Sequence, residues 1–335
     1  MRLGTVKDSE NVGSSMKRFL ALFVVGLGHA AASACCGVAP IGQAVSFGDQ
    51  SNIIVWNSQT KTEHFVRNAH FDSKAKDFGF IASTPTMPTL SEANEHVYDL
   101  LESCKPRGAG LGIGCSAGDA SMAAASAKSV EVLQQVDVGK YQATTVRSDD
   151  PRAMLAYLKE NGYATRPDSD EWIKFYTGKK WVFTAFKVRA SNGHNPQTGI
   201  IRMSFKTDEP FNPYYVPTGN SVEGGTLKVY FVADGSYSAT IGHGAHWNAA
   251  LWQAPLPEST INQLTKSLKL SLGTLPMNLT VTYFEKAGWL EGAKDDLYFT
   301  KDSNVAMWPI AGLLALGGGL WWFTKSRKDK IFPLA

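Results

Sequence analysis

The chain has 335 residues, 44% hydrophobic and 19% charged, a composition that excludes a wholly disordered protein. At that length it can bury a core without metal or disulfide support. The formal charge is +3, but residues before Cys35 contribute +2 and those after Asn304 another +3, so the stretch between stands at −2 and lacks the basic face that nucleic acid requires.

Met16-Lys17-Arg18 precedes Phe19 to Leu27, nine uncharged and mostly apolar residues, and small residues follow to Ala32-Ser33-Ala34. This is the charged start, short apolar run and cleavage site of a secretory leader. Nine residues span roughly 14 Å as a helix, too short for a hydrocarbon core of about 30 Å. The expectation is a signal peptide over 1–34 with its true start at Met16; the competing reading is a buried core helix. Cleavage would leave Cys35 first, as in lipoproteins, although Ala32 stands where leucine is usual.

From Cys35 the pattern reads as strands, turns and a few helices. Asn52 to Trp56 is β-branched and apolar, and Thr62 to Phe71 alternates, which suggests a hairpin. Asp77 to Ile81 reads as a third strand, ended by Pro85 and Pro88, which lack an N–H. Ser91 to Leu101 reads as a helix, with Thr89 and Glu92 at capping-box spacing. Lys105 to Lys128 is dominated by Gly, Ala and Ser and reads as a flexible surface loop. Strands resume over Val130 to Val136 and Lys140 to Val146. Asp150-Pro151 opens a helix that stops at Gly162, and Asp168 to Tyr176 reads as another. Trp181 to Val188, Ile200 to Thr207, Thr226 to Val232 and Ser236 to Ile241 read as strands, Pro257 to Leu268 as a helix and Leu279 to Phe284 as a strand. Strands outnumber helices and do not alternate with them, so the expected fold class is α+β: a mostly antiparallel, β-rich body. Two sub-domains split near 150–185 are one option. Asn52 to Pro88 and Lys187 to Pro217 share a loose pattern that raises the idea of duplication.

Val305 to Phe323 is 19 uncharged residues, about 28 Å of helix, which matches the thickness of a bilayer core. Trp308 stands near one end and Trp321 and Trp322 at the other, at the headgroup levels that indoles prefer. Lys325 and Arg327 begin a basic tail, and positive flanks stay cytoplasmic. Asp295, Asp296, Lys301 and Asp302 form the expected outer flank. The domain reading is thus a leader, an extracytoplasmic body over 35–304, a transmembrane helix over 305–323 and a cytoplasmic tail over 324–335. Gly312 and Gly317 to Gly319 put small residues in the span, which would permit self-association.

Four cysteines, Cys35, Cys36, Cys104 and Cys115, enter an oxidising compartment on export. Cys104 and Cys115 enclose ten residues, and a disulfide there would contribute roughly 3 kcal/mol in the loop-entropy model. Pairings crossed with Cys35 and Cys36 are the alternatives. Gly114-Cys115-Ser116-Ala117-Gly118 has the spacing of a nucleophile elbow, but the Gly-rich run before it is unlike the strand such an elbow needs. His243 and His246 stand three apart, as two metal ligands on one helical turn would. No glutamate motif accompanies them, and Asp234, His194 and Glu223 are the available third ligands; the plainer reading is a turn with exposed imidazoles. His64 and His70 share one face of a strand and read as solvent-facing. Asp149, Asp150 and Asp168 stand at helix starts, where capping accounts for them. There is no phosphate loop, dinucleotide fingerprint or haem motif, so no cofactor and no catalytic set is expected.

Ala34-Cys35-Cys36-Gly37, Asp49-Gln50, Asp77-Phe78-Gly79-Phe80 and the Pro85 to Pro88 stretch resemble an uncharacterised family of bacterial exported proteins, domain of unknown function 2330. Val138-Gly139-Lys140-Tyr141, Asn161-Gly162-Tyr163 and Arg202-Met203-Ser204-Phe205 before Pro210 are similar to it too, so the likeness covers about 35–285. Many relatives place a further cysteine near the first ones, where Val38-Ala39-Pro40 stands here, and this leaves a disulfide of Cys35 or Cys36 open. The resemblance implies a leader-plus-anchor protein and no known activity. The functional expectation is a membrane-tethered extracytoplasmic binding or scaffolding module, with a protein partner or a second copy as its target. An anchored metal-dependent or serine hydrolase and a structural subunit of a membrane complex are the rivals.

Overall fold

The computed structural model describes residues 36–38, 46–47, 50–68, 71–72, 79–106, 130–163, 167–188, 199–217, 226–287 and 293–302. The leader, the stretch 305–323 with Trp308, Trp321 and Trp322, the tail with Lys325 and Arg327, His70, His194, Glu223, Cys115 and Ser116 lie outside the described residues. Among the described residues no helix is long and apolar enough to cross a membrane.

The body is α+β and mostly antiparallel. A seven-stranded sheet runs in the order β16 (Trp252–Pro255), β17 (Thr280–Ala287), β13 (Thr226–Ala233), β3 (Gln50–Asn57), β4 (Thr62–Asn68), β11 (Ile201–Lys206), β7 (Thr89–Glu92). A five-stranded sheet runs β1 (Cys36–Val38), β6 (Gly79–Thr84), β10 (Val182–Val188), β9 (Tyr141–Arg147), β8 (Glu131–Val138). A four-stranded sheet runs β12 (Phe211–Asn212), β18 (Leu297–Lys301), β14 (Tyr237–Ile241), β15 (Ala245–Asn248), and β2 (Ser46–Phe47) pairs with β5 (Phe71–Asp72). The helices are α1 (Val97–Glu102), α2 (Pro151–Glu160), α3 (Pro167–Gly178) and α4 (Glu258–Ser267). The pairing of β3 with β13 is parallel.

The seven-stranded sheet is covered on both faces, which is why β3 reads as an unbroken apolar run rather than an alternating one. Ile54 and Trp56 enter a large core shared with the five-stranded sheet, α2, α3 and the four-stranded sheet. Ile53 and Val55 enter a second core shared with α1 and α4. The same alternation on β4 sends Phe65 to the first core and Val66 to the second. α2 begins as expected: Asp150 accepts the Arg152 N–H at 2.9 Å, Pro151 follows, and Gly162 ends the turn at φ +80°.

Two expectations need correction. Residues 89–92 form β7 instead of the start of a helix, because Leu90 pairs with Met203 of β11; the helix begins at Val97 and Glu92 caps nothing. His64 is buried, not solvent-facing, since the face it occupies is covered by the second core; its Nδ1 lies 2.7 Å from the Ser204 hydroxyl. The two segments with a shared pattern lie side by side. The chain crosses from the seven- to the five-stranded sheet between β4 and β6 and returns between β10 and β11, and these strands pair antiparallel in both sheets.

Candidate functional site

Several connections converge on a groove of about 1170 Å³. Its walls are the β3–β4 turn at residues 58–61, Pro85 and Thr86 after β6, and the end of α3 with Lys179, Lys180 and Trp181. The β11–β12 turn at 206–209, His243 in the β14–β15 turn, and Asp295 and Tyr298 complete it.

Lys179 stands at the centre. α3 ends one residue earlier, at Gly178, and releases the lysine toward the start of β18. Its ammonium donates to Asp295 Oδ1 at 2.8 Å, Asp296 Oδ2 at 2.9 Å and the Tyr298 hydroxyl at 2.9 Å. It also lies over the rings of Phe175 at 4.3 Å and Trp181 at 5.1 Å. Burial alone would lower its pKa, but the charge of Asp296 and the other acceptors outweigh this and hold it above the ordinary lysine value.

Asp296 is fully buried beneath the groove. Its Oδ1 accepts the Tyr176 hydroxyl at 2.5 Å and the Tyr214 N–H at 2.9 Å. Burial pushes this carboxyl above its usual range, against the pull of Lys179 and both donors. Glu63 from β4 accepts the Phe211 N–H at 2.9 Å and so fastens β12 under the groove. Burial, then the charge of Asp296, raises it well above the usual carboxyl value, and its Oε1 has no partner among the described residues.

On the rim, the His243 ring stacks on Tyr298 with centroids 4.6 Å apart, and its Nε2 lies 3.3 Å from Glu209 Oε1. Burial raises the Glu209 carboxyl, against the pull of His243 and Lys179. His246 is exposed on β15, with Nδ1 3.0 Å from the Ala239 carbonyl. The two histidines thus sit on a turn and a strand, not on one helical turn. Among the described residues no group of three His, Cys, Asp or Glu side chains gathers as a metal site. Asp234, one of the proposed third ligands, is held by Lys301 at 3.0 Å, Ser58 at 3.1 Å and Tyr237 at 3.0 Å. The Cys104 thiol is directed at the Leu100 carbonyl at 3.4 Å, and burial raises its pKa.

Sequence reasoning missed this cluster. Asp295 and Asp296 read there as the outer flank of a span, whereas Asp296 is inside the core. Two adjacent acids before the aromatic strand Leu297-Tyr298-Phe299 were the available signal. Groove hydroxyls are already engaged: Thr86 donates to the Lys206 carbonyl, Thr207 to the Glu209 carbonyl and Ser58 to Asp234.

A family model described as an uncharacterized protein conserved in bacteria (DUF2330) matches residues 29–239. No curated protein matches the chain. One solved structure, the crystal structure of baculovirus P35, aligns with 80% of this chain and 100% of its own at 9% identity and a TM-score of 0.39.

Proposed function

The chain belongs to this family of uncharacterised bacterial proteins, which brings no activity with it, and from that premise we propose a membrane-tethered extracytoplasmic binding module that works through the groove around Lys179. The tether rests on the leader and on the 19 uncharged residues of Val305 to Phe323 with their basic tail. One observation carries the binding reading: three of the groove's basic side chains are held by acidic ones. Lys179 is paired with Asp295 and Asp296, Lys61 with Asp208 at 2.8 Å, and His243 with Glu209. Such a surface is preorganised to hold a ligand, and it offers no side chain activated as a nucleophile.

A photo-crosslinking residue at Thr86 on the groove wall tests this in intact cells, with the same residue at exposed Leu251, outside the groove, as the control. The reading expects a discrete adduct from Thr86 and none from Leu251. Equal labelling at both positions, or none at either, removes it.

The rival is an anchored hydrolase built on His243, favoured by the 3.3 Å approach of its Nε2 to Glu209. One zinc per purified chain, lost in His243→Ala or His246→Ala, would support it; absence of bound metal at saturating zinc would end its metal-dependent form.

A further inference from the structure

The end of α3 holds an unusual residue. Lys180 adopts the left-handed conformation at φ 59°, in a turn closed by its own N–H to the Thr177 carbonyl at 2.9 Å and the Trp181 N–H to the Tyr176 carbonyl at 3.2 Å. Glycine is the residue that takes this position without strain, because a Cβ crowds the neighbouring carbonyl. Among the described residues, two further non-glycine residues have a left-handed φ, and both are lysines: Lys61 at 48° and Lys269 at 51°. Each has a carboxylate partner within the chain, Asp208 at 2.8 Å and Glu92 at 3.5 Å, both at the surface. The exposed ammonium of Lys180 has none among the described residues, although it lines the groove. Lys180 thus brings an unpaired charge to the groove in a backbone conformation that favours glycine, the kind of outlier from which a role is argued.

Lys206 lines the same groove. Its ammonium donates to the Thr60 carbonyl at 2.5 Å and the Thr62 hydroxyl at 2.9 Å, which leaves one of its three N–H groups and no carboxylate partner among the described residues. The aromatic side chains of Phe175 and Trp181 line the same groove. Resting on the groove as the binding face, we infer that its ligand is an acidic peptide segment with an aromatic or aliphatic anchor, whose carboxylates meet Lys180 and Lys206.

The test is a polarisation titration of the full chain with a fluorescein-labelled peptide of six glutamates around one phenylalanine. Lys180→Gly should weaken binding roughly three- to fivefold, the size of one exposed ion pair, while leaving the melting temperature unchanged or higher because the strain is relieved. Lys180→Gln should weaken binding equally without that thermal gain. A purely structural lysine would not separate the two readouts. Gln59→Trp, which plugs the groove from the β3–β4 turn, should abolish binding. If both Lys180 variants bind like the parent while Gln59→Trp does not, the groove stands and the assignment of Lys180 falls. If Gln59→Trp changes nothing, or the peptide does not bind, the groove fails as a binding face and the inference fails with it. Tighter binding of a heparin hexasaccharide than of the peptide would overturn the peptide assignment.

Discussion

Glu63 and His64 are neighbours on β4, face opposite cores and are both buried, at 0% and 3% exposure. Their effects on stability run in opposite directions. Burial, with the Asp296 charge, holds the Glu63 carboxyl well above 4.5, so the folded chain keeps a proton that the unfolded chain releases above that pH. Stability from this group is fully present below pH 4.5 and falls by about 1.4 kcal/mol per pH unit until the folded carboxyl titrates. Burial, then the charges of Arg202 and Lys206, lowers His64 from 6.5 to about 4. Stability from this group is present above pH 6.5 and is lost as pH falls toward 4, again at about 1.4 kcal/mol per unit. Above pH 4.5 the two slopes oppose each other. Glu63→Gln keeps an acceptor for the Phe211 N–H and removes one slope. Its stability should therefore rise with pH above 4.5 relative to the parent's change over the same range. Urea denaturation of the full chain, followed by tryptophan fluorescence at pH 4.5, 5.5, 6.5 and 7.5, measures both curves. Parallel curves for parent and variant would refute the reasoning.

His64→Gln should show the reverse in the same assay, losing stability as pH rises through 4.5 to 6.5 once the Glu63 slope stands alone. Lys179→Met leaves the buried Asp296 without its cation, so it should destabilise by about 3–5 kcal/mol, read as a lower urea midpoint at pH 7; adding Asp296→Asn should recover part of that loss. Asp150→Ala removes the α2 cap and should lower stability by about 1 kcal/mol, with no change in groove binding. Gly139→Ala should be poorly tolerated, because Gly139 sits at φ +55° and a Cβ there would meet the Glu92 carboxylate; a lower melting temperature checks it.

The parts of the fold legible in the sequence were those that carry their own local signal. β3, β10 and β13 are long apolar runs, and α2 has its cap, proline and terminal glycine in order. β12, β15, β16 and β18 span two to five residues and exist because of their partners, which local pattern does not reveal. Ser91 and Glu92 show the same limit: helix-like spacing yielded to pairing with β11. The burial of His64 was hidden because both faces of its sheet are covered, so alternation did not separate inside from outside. The Lys179 cluster joins side chains more than a hundred positions apart, and only its acidic pair stood out along the chain. His243 was visible as a candidate; its partner Glu209 was not, since no spacing connects them.

The central proposal is tested most directly by protease added outside spheroplasts that carry the chain with one epitope in the β8–β9 turn and another at the C-terminus. The account predicts loss of the first epitope and survival of the second until the membrane is permeabilised. Survival of the body epitope with loss of the C-terminal one would contradict it.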